Sequence, residues 1–358
     1  RRRRRIVTTL IMVLVLAGVG IGGYWAYKHR PPAPTTAASD YSGPGEGSVE
    51  VEIPDGASGQ EIGQILYDKG VVASVGAFAD AYAANANSGN IQAGIYTLKT
   101  KMSAANAVAA LLDPASQTRR LTIPEGFTQT QVKEKLISTG GFTDAQVDAA
   151  FADAAGIGLP AVAGGHVEGW LAPDTYNVSE NATATEIVAE MVRRTVSRLK
   201  NAGVAEADYE TVLIKASIVE REATPAYYGQ VARVIDNRLA DTDGDTQGKL
   251  GMDSTILYGL GRSGGMPTQA ELEDASNPYN TRIHAGLPPT PIGSPGKGTI
   301  TAVLNPPAGD WLYFVTINLD TGETRFASTY AEQQANEQLL QQYCAANEAK
   351  CSGGTHKS

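Results

Sequence analysis

The segment VEIPDGASGQEIGQILYDKGVV at residues 51–72 decides the fold of the first part of the chain, because a similar segment recurs 70 residues later as LTIPEGFTQTQVKEKLISTGGF at 121–142. The coinciding positions are Ile53/Ile123, Pro54/Pro124, Gly56/Gly126, Ile62/Val132, Leu66/Leu136 and Gly70/Gly140. Each copy predicts a short strand, a Pro-acid-Gly turn and a helix that is closed by glycine. A unit this small cannot bury its apolar face alone, so further elements must pack against each copy.

In the first copy the sequence predicts that three elements complete the unit. They are a helix over 75–85, a strand at 93–98 and a helix over 103–112. The resulting β-α-α-β order resembles the LysM module, a small unit that in its family binds the glycan of cell walls. Residues 48–117 are therefore predicted to be a LysM-like module, and a small α+β packing unit without a ligand is the alternative.

The N-terminal residues predict a membrane anchor. Five arginines precede Ile6–Tyr27, which contains no charged residue, and Lys28, His29 and Arg30 follow. About 20 apolar residues are enough to span a bilayer as a helix. Residues 1–30 are predicted to be a short cytoplasmic segment and one transmembrane helix, since arginines remain on the cytoplasmic side. Residues 31–47, rich in Pro, Ala, Ser, Thr and Gly, are predicted to be a flexible extracytoplasmic linker.

Composition excludes several classes of partner. Beyond residue 30 the chain of 358 residues contains 22 basic and 38 acidic residues, which argues against nucleic acid. Four scattered histidines and two cysteines give no zinc-ligand spacing, so no metal and no cofactor is expected. The cysteines, Cys344 and Cys351, lie in the predicted tail 344–358. They are consistent with a small disulfide loop or with two free thiols.

The rest of the chain, residues 118–343, predicts a mixed α/β domain, so the fold class is α+β. Its predicted elements are mainly helices over 143–200 with an interruption at 164–178, a helix over 208–222, and a hairpin over 311–327. Proline and glycine are concentrated at 277–298, where stiff loops could form a cleft wall or a long surface connection.

The helix over 208–222 contains a candidate acid. One face of this helix is formed by Leu213, Ala216, Ser217 and Glu220, at i, i+3, i+4 and i+7. Glu220 lies at the C-terminal end, where the helix dipole disfavours a negative charge and so favours the protonated form that a general acid needs. Glu222 points about 160° away, and it is interpreted with Arg221 as solvent-facing or structural. Spacing alone leaves open that Glu220 is an ordinary solvated glutamate.

Six ordered motifs make the interpretation more specific. They are HVEGWLAPDTY, ASIVERE, VARVIDNRL, LGMDSTILYGL, NPYNTR with GLPPTPIGSPG, and WLYFVTINLDTGETRFA. In this order they resemble the MltG (YceG-like) endolytic murein transglycosylases over residues 48 to about 340. That family combines one transmembrane helix, a LysM-like module and a catalytic domain. The resemblance implies a single-pass protein of the bacterial cell membrane that acts on nascent peptidoglycan strands, near peptidoglycan synthases.

The resemblance also implies a reaction. Glu220 matches the catalytic acid/base of the family, and the product would be a 1,6-anhydroMurNAc end, as expected for a lytic transglycosylase (a lyase). Glu220 would first protonate the departing GlcNAc oxygen and then, as a carboxylate, deprotonate the MurNAc 6-hydroxyl. Ordinary glycosidases use two carboxylates, whereas an internal nucleophile requires no second one.

Further residues are implied to line or support a cleft. The positions that match the family are Glu168, Asp174, Tyr176, Asn237, Arg238, Asp253, Ser254, Thr255, Tyr258, Tyr279, Asn280 and Thr281, and Ser217 is added from the helix face. Among these, Asp253, Thr255 and Asn280 are expected to contact the sugar or Glu220. The sequence departs from the family pattern L-Q-x-D-P-T at LGMDST, where Gly251 and Ser254 replace Gln and Pro.

Two other functions compete with this interpretation. One is a non-catalytic protein that binds peptidoglycan through the LysM-like module. The other is a hydrolase that uses a second carboxylate, such as Asp253 or Glu168, and releases reducing ends.

Overall fold

The structure, a computed structural model, describes residues 39–179 and 181–351. The chain divides into two compact units, one ending at Gln117 and the other beginning at Thr118. The predicted transmembrane helix and the linker up to residue 38 lie outside the described residues. Among the helices that the structure describes, none has the length and apolar character needed to cross a bilayer.

The first unit has the β-α-α-β order expected from the sequence, followed by one more helix. Its elements are β1 (Pro44–Ile53), α1 (Gly59–Asp68), α2 (Val75–Ala84), β2 (Gly94–Met102) and α3 (Ala104–Leu112). The two strands pair antiparallel, with Val51 opposite Tyr96, and both of these side chains are buried against the helices. A capping box between Ser58 and Glu61 begins α1 immediately after the Pro-Asp-Gly turn.

Strand β1 begins earlier than the sequence predicted. Residues 44–47 lie in this strand, with Glu46 opposite Thr100, although they were predicted to belong to the flexible linker. Gly45 explains the difference, because its φ is +84° and an added Cβ would lie 2.6 Å from the Thr100 carbonyl oxygen. The glycines therefore allow an irregular strand where their composition indicates only flexibility.

The second unit contains more elements than the sequence predicted. In chain order they are β3 (Gln117–Ile123), α4 (Gln129–Ser138), α5 (Asp144–Ala152), β4 (Asp174–Ser179), α6 (Ala184–Asn201), α7 (Tyr209–Glu222), α8 (Tyr228–Ala240), α9 (Asp253–Gly259), α10 (Gln269–Leu272), α11 (Lys297–Leu304), β5 (Tyr313–Asn318), β6 (Glu323–Ala327), α12 (Tyr330–Ala346) and α13 (Glu348–Cys351). Strand β4, which pairs antiparallel with β3, occupies part of the segment that was expected only to interrupt the helices. The two-residue alternation of buried Tyr176 and Val178 is too short to distinguish a strand from a loop by pattern alone.

Helix α7 is the centre of the second unit. Its Leu213 and Ala216 contribute to a core formed with β3, β4, α4 and α6, whereas its Ile218 and Val219 contribute to a second core with α8. Ile292, from the Pro/Gly-rich segment, is fully buried in that second core. A helix that is buried on both sides places its last turn, with Glu220, at a fixed position.

The C-terminal residues form the predicted hairpin and a helix that packs against it. Strands β5 and β6 pair antiparallel, with Phe314 opposite Phe326, and α12 lies along β5. Cys344 and Cys351 form a disulfide between α12 and α13, so of the two alternatives left open by the sequence the structure contains the disulfide loop.

Candidate active site

The Glu220 carboxylate is held by three hydrogen-bond donors from neighbouring elements. Its Oε1 accepts a hydrogen bond from the Tyr228 hydroxyl at 2.9 Å. Its Oε2 accepts from the Gly296 backbone N–H and from the Thr299 hydroxyl, each at 2.9 Å. Burial, and then the charges of Glu220 and Glu125, raise the pKa of Tyr228, so this hydroxyl keeps the proton that it donates. The side chain is therefore fixed at both oxygens while remaining partly accessible.

Two helix ends have opposite electrostatic effects on the charge of Glu220. Glu220 lies in the last turn of α7, where the dipole disfavours a negative charge, as the sequence predicted. Gly296 is the N-cap residue immediately before α11, and it donates its N–H to the carboxylate. The N-terminus of α11 favours a negative charge, and the sequence pattern gave no indication that it would lie there.

The second Pro-acid-Gly turn, residues 124–126, lies directly against Glu220. Gly126 donates its N–H to the Ser294 carbonyl at 2.8 Å, and Ser294 donates its own N–H to the Phe127 carbonyl at 2.8 Å. Arg221 donates to the Gly126 carbonyl at 3.3 Å. A Cβ at Gly126, whose φ is +76°, would lie 3.5 Å from Glu220 Cγ. The turn and the segment that precedes α11 thus form two adjoining walls around the carboxylate.

Glu125, in the middle of this turn, places a second carboxylate beside the first. A Cβ at Gly296 would lie 2.0 Å from Glu125 Oε1, so this carboxylate contacts the residue whose N–H binds Glu220. Burial, and then the charge of Glu220, raise the pKa of Glu125, and Arg198 opposes the shift. Glu125 was absent from the predicted site. The recurring Pro-acid-Gly turn could have drawn attention to it, but that pattern is also typical of an ordinary turn.

Ser217 connects α7 to the Pro/Gly-rich segment. Its buried hydroxyl accepts the Ile292 N–H at 3.0 Å and donates to the Ile214 carbonyl at 2.8 Å. This pair of bonds fixes the segment that ends at Gly296, so Ser217 positions a donor to Glu220. The segment is the one that the sequence predicted as a candidate cleft wall.

Glu168 is buried one layer behind the turn. It accepts the Gln129 N–H at 3.0 and 3.1 Å and the Tyr258 hydroxyl at 2.9 Å. Burial raises the pKa of Glu168 to about 7, although these hydrogen bonds oppose the shift. The Tyr258 ring packs edge-on against Tyr279 at 4.9 Å, and the Tyr279 hydroxyl is 2.8 Å from that of Thr290. These residues support the walls of the site, and in the described structure none of their hydrogen bonds reaches Glu220.

Thr255 and Asn280 form internal hydrogen bonds. The Thr255 hydroxyl is 2.7 Å from the Met252 carbonyl and 2.9 Å from the Thr281 hydroxyl. Both Thr255 and Asn280 are fully buried. The Asn280 amide donates to three carbonyls, those of Glu271, Leu272 and Asp274. Their polar atoms bind the backbone, so the expected contact of Thr255 or Asn280 with Glu220 is not among those that the described residues form.

Asp253 and Ser254 lie on the side of the α7 terminus occupied by Glu222. Asp253 pairs with Arg282 at 2.7 Å, and the Ser254 N–H donates to Glu222 at 3.3 Å. Burial raises the pKa of Glu222. Glu222 is therefore a structural acceptor, one of the two roles left open by the sequence, and Asp253 makes no described contact with Glu220.

Asn237 and Arg238 connect α8 to the C-terminal hairpin region. Asn237 donates to the carbonyls of Gly309 and Trp311, at 3.1 and 2.9 Å. Arg238 donates to the carbonyls of Leu312 and Leu250. Asp174, which was implied to support the cleft, pairs with Arg194 and Arg198 on α6. None of these hydrogen bonds and ion pairs involves Glu220 or Glu125 directly, so we interpret them as structural.

The fold and the site together define an α+β protein whose site is centred on a fixed carboxylate, an arrangement suited to acid–base chemistry. The sequence model of the YceG-like family matches residues 51–339. The chain therefore belongs to the YceG-like family.

Two relatives are endolytic murein transglycosylases of Streptococcus pneumoniae, from serotype 2 strain D39 and from strain R6. Each is 28% identical to this chain and aligns with 90% of it, and the chain spans 63% of the length of each relative. The chain is also similar to a solved structure, a yceG-like protein from Listeria monocytogenes. That structure is 29% identical, with 81% of this chain and 99% of that chain covered and a TM-score of 0.49.

Proposed function

We propose that this protein is an endolytic lytic transglycosylase that cleaves the MurNAc–GlcNAc β-1,4 bond within peptidoglycan strands and leaves 1,6-anhydroMurNAc ends. The observation that carries the proposal is the Glu220 carboxylate, which is partly accessible and fixed by Tyr228, Gly296 and Thr299. General acid catalysis requires such a group at a defined position. The name of the pneumococcal relatives supports the same substrate and reaction.

In this reaction Glu220 transfers a proton to the leaving sugar. As the bond between C1 of MurNAc and O4 of GlcNAc breaks, O4 keeps the bonding electrons and takes the Glu220 proton. The MurNAc 6-hydroxyl oxygen then bonds to C1 and releases its own proton to a base. The family resemblance implies that the Glu220 carboxylate, acting in turn, is this base.

The surroundings of Asp253 and Glu168 argue against the hydrolase alternative that uses either of these two carboxylates. Hydrolysis by either mechanism uses an enzymic carboxylate as base or nucleophile opposite the acid. Glu168 is 2% exposed and already accepts the Gln129 N–H and the Tyr258 hydroxyl. Asp253 is paired with Arg282. Neither side chain is free to activate water beside Glu220.

We also propose where in the cell the reaction takes place. The apolar, uncharged run Ile6–Tyr27, after five arginines, supports one membrane-spanning helix with a cytoplasmic N-terminus. The enzyme would then act outside the cytoplasmic membrane on nascent strands, near peptidoglycan synthases. The β-α-α-β unit over residues 48–117 is proposed to bind glycan as a LysM-like module.

Digestion of purified sacculi by the full chain tests this function. We expect wild type to release anhydro-ended strands, and Glu220→Gln to lower the rate by about 10²–10⁴-fold, because an amide of the same shape cannot donate the acid proton. Glu134→Gln on α4 removes one exposed carboxylate and is the matched control. Equal inactivity of wild type and Glu220→Gln, with binding to sacculi retained, would instead identify a non-catalytic binding protein. Reducing ends would identify a hydrolase.

A further inference from the structure

The hydrogen bonds of Glu220 restrict the proton transfers that it can carry out. A carboxylate has about four lone-pair sites, two on each oxygen. On Oε2 both are occupied, by the Gly296 N–H and the Thr299 hydroxyl. On Oε1 one is occupied by the Tyr228 hydroxyl. One site remains, on Oε1, so Glu220 can serve as acid and base only in succession through this one site and cannot exchange protons at both oxygens at once.

The Glu125 carboxylate, in contrast, has no lone-pair site occupied by a donor from the described residues. Although this carboxylate lies against Gly296, the residue as a whole is open to solvent. It contacts Gly296 at the position that a Cβ would occupy, while the N–H of the same residue binds Glu220. Because the two carboxylates flank one glycine residue, they lie within about 8 Å of each other. This upper limit overlaps the separations at which two carboxylates act on one glycosidic bond, about 5–5.5 Å in retaining and roughly 6.5–9.5 Å in inverting glycosidases.

The electrostatic surroundings suit a base. Burial and the charge of Glu220 raise the pKa of Glu125, which makes its carboxylate more basic than an isolated one. Arg198 is the cation that acts on Glu125, and it partly offsets the shift. Arg198 itself binds the Pro173 carbonyl at 2.7 Å and Asp174 at 3.3 Å, so it does not neutralise Glu125 as a dedicated partner.

We propose that Glu125 is a second catalytic residue, which accepts the proton of the substrate 6-hydroxyl while Glu220 protonates the leaving oxygen. This proposal rests on the proposed function and deepens it. The C1–O4 bond breaks with its electron pair on O4, which receives the Glu220 proton. The O6–C1 bond forms, and the O6 proton moves to Glu125. Glu220 ends ionised and Glu125 protonated, and exchange with water restores both without any oxidant, reductant or further reactant.

Glu125→Gln tests the proposal in the sacculus digest, with anhydro-end release followed from pH 4 to pH 9. We expect the rate to fall about 10²–10⁴-fold, the size of a general-base contribution, and the acidic limb of the pH–rate profile to disappear. Glu125→Asp should keep that limb and recover part of the rate, since it retains a carboxylate. A merely structural role would change the rate without removing the limb.

Gly296→Ala is the second variant, because it displaces Glu125 without altering Glu125 itself. Its φ of −76° suits alanine, its N–H to Glu220 is retained, and the three atoms nearest to the added methyl group are those of the Glu125 carboxyl group. We expect Gly296→Ala to reproduce the loss seen with Glu125→Gln and to leave the melting temperature within a few degrees of wild type.

The outcomes separate the two proposals. If wild type releases anhydro ends, Glu220→Gln does not, and Glu125→Gln retains the wild-type rate and pH profile, then Glu125 is not the base and the proposed function stands. Loss of rate in Glu125→Gln with the acidic limb unchanged would also overturn the role of Glu125. If wild type releases no anhydro ends, the proposed function fails, and the role of Glu125 falls with it.

Discussion

Glu220 shows how a single side chain acquires its chemistry from neighbours on other helices. The helical spacing of α7 accounts for the face on which it lies. Its three donors come instead from Tyr228 on α8 and from the beginning of α11. A carboxylate held at both oxygens loses little conformational entropy when substrate binds, which is a condition for efficient proton transfer.

The first prediction at this scale concerns Tyr228. Tyr228→Phe removes the hydrogen bond to Glu220 Oε1 and keeps the ring. Because a hydrogen bond to a charged group is worth about 1.5–3 kcal/mol, we expect kcat to fall roughly 10–100-fold while KM changes little. Steady-state kinetics on soluble glycan strands would measure both constants.

Tyr227→Phe is the control for this change. Tyr227 is the preceding residue and packs against Phe326 through its ring, at 5.8 Å between centroids. Among the described residues its hydroxyl has no hydrogen-bond partner. Equal rates for Tyr228→Phe and wild type would show that Gly296 and Thr299 alone are enough to position Glu220.

At the scale of elements, short segments are held by buried side chains that bind the backbone. Asn280 donates to the carbonyls of Glu271, Leu272 and Asp274, which lie at and just after the end of α10. A helix of four residues cannot satisfy its own last carbonyls. The motif NPYNTR therefore has a structural explanation for this asparagine that does not involve substrate.

Asn280→Ala should therefore act on stability. Loss of the buried amide removes a donor from three partly buried carbonyls and leaves a cavity, so we expect the free energy of unfolding to decrease by about 2–3 kcal/mol. Urea unfolding would measure the change. The exposed Asn201→Ala, at the end of α6, is the control and should change stability by less than about 0.5 kcal/mol. A loss of activity with unchanged stability would instead favour a substrate contact for Asn280, as the family resemblance implied.

At the scale of the whole molecule, buried carboxyl groups make stability depend on pH. Burial raises the pKa of Glu168 to about 7, and that of Glu210 to about 7 although Trp170 donates to it at 2.9 Å. It also raises the pKa of Glu222. These groups bind protons more tightly in the folded chain than in the unfolded chain, where the ordinary value is 4.5.

The sign of the effect follows from this difference. Between about pH 4.5 and pH 7 the folded state binds more protons, so the free energy of unfolding decreases as pH rises through this window. For Glu168 alone the decrease amounts to about 3 kcal/mol. Glu168→Gln should therefore flatten the curve of stability against pH in denaturant titrations at pH 5 and pH 8. Glu134→Gln should leave the curve unchanged, and a Glu168→Gln curve as steep as that of wild type would contradict the assignment.

Much of the architecture could be predicted from the sequence because it is encoded locally. The repeated strand–turn–helix pattern, the face of α7 that carries Glu220 and the terminal hairpin each depend on residues within one or two turns of each other. The predicted start of β1 was wrong, and β4 was not predicted at all. In both cases pairing with a distant strand stabilises a segment whose own sequence pattern is weak.

Only some of the residues that form the site could be predicted from the sequence. The sequence by itself determined that Glu220 lies on a small, apolar face and that Glu222 points elsewhere, since helical geometry depends on spacing alone. Only the tertiary structure brought Gly296 and Thr299 to Glu220 and Glu125 to Gly296. Those contacts join segments far apart in the chain, through the pairing of Gly126 with Ser294, and no local periodicity encodes such a pairing.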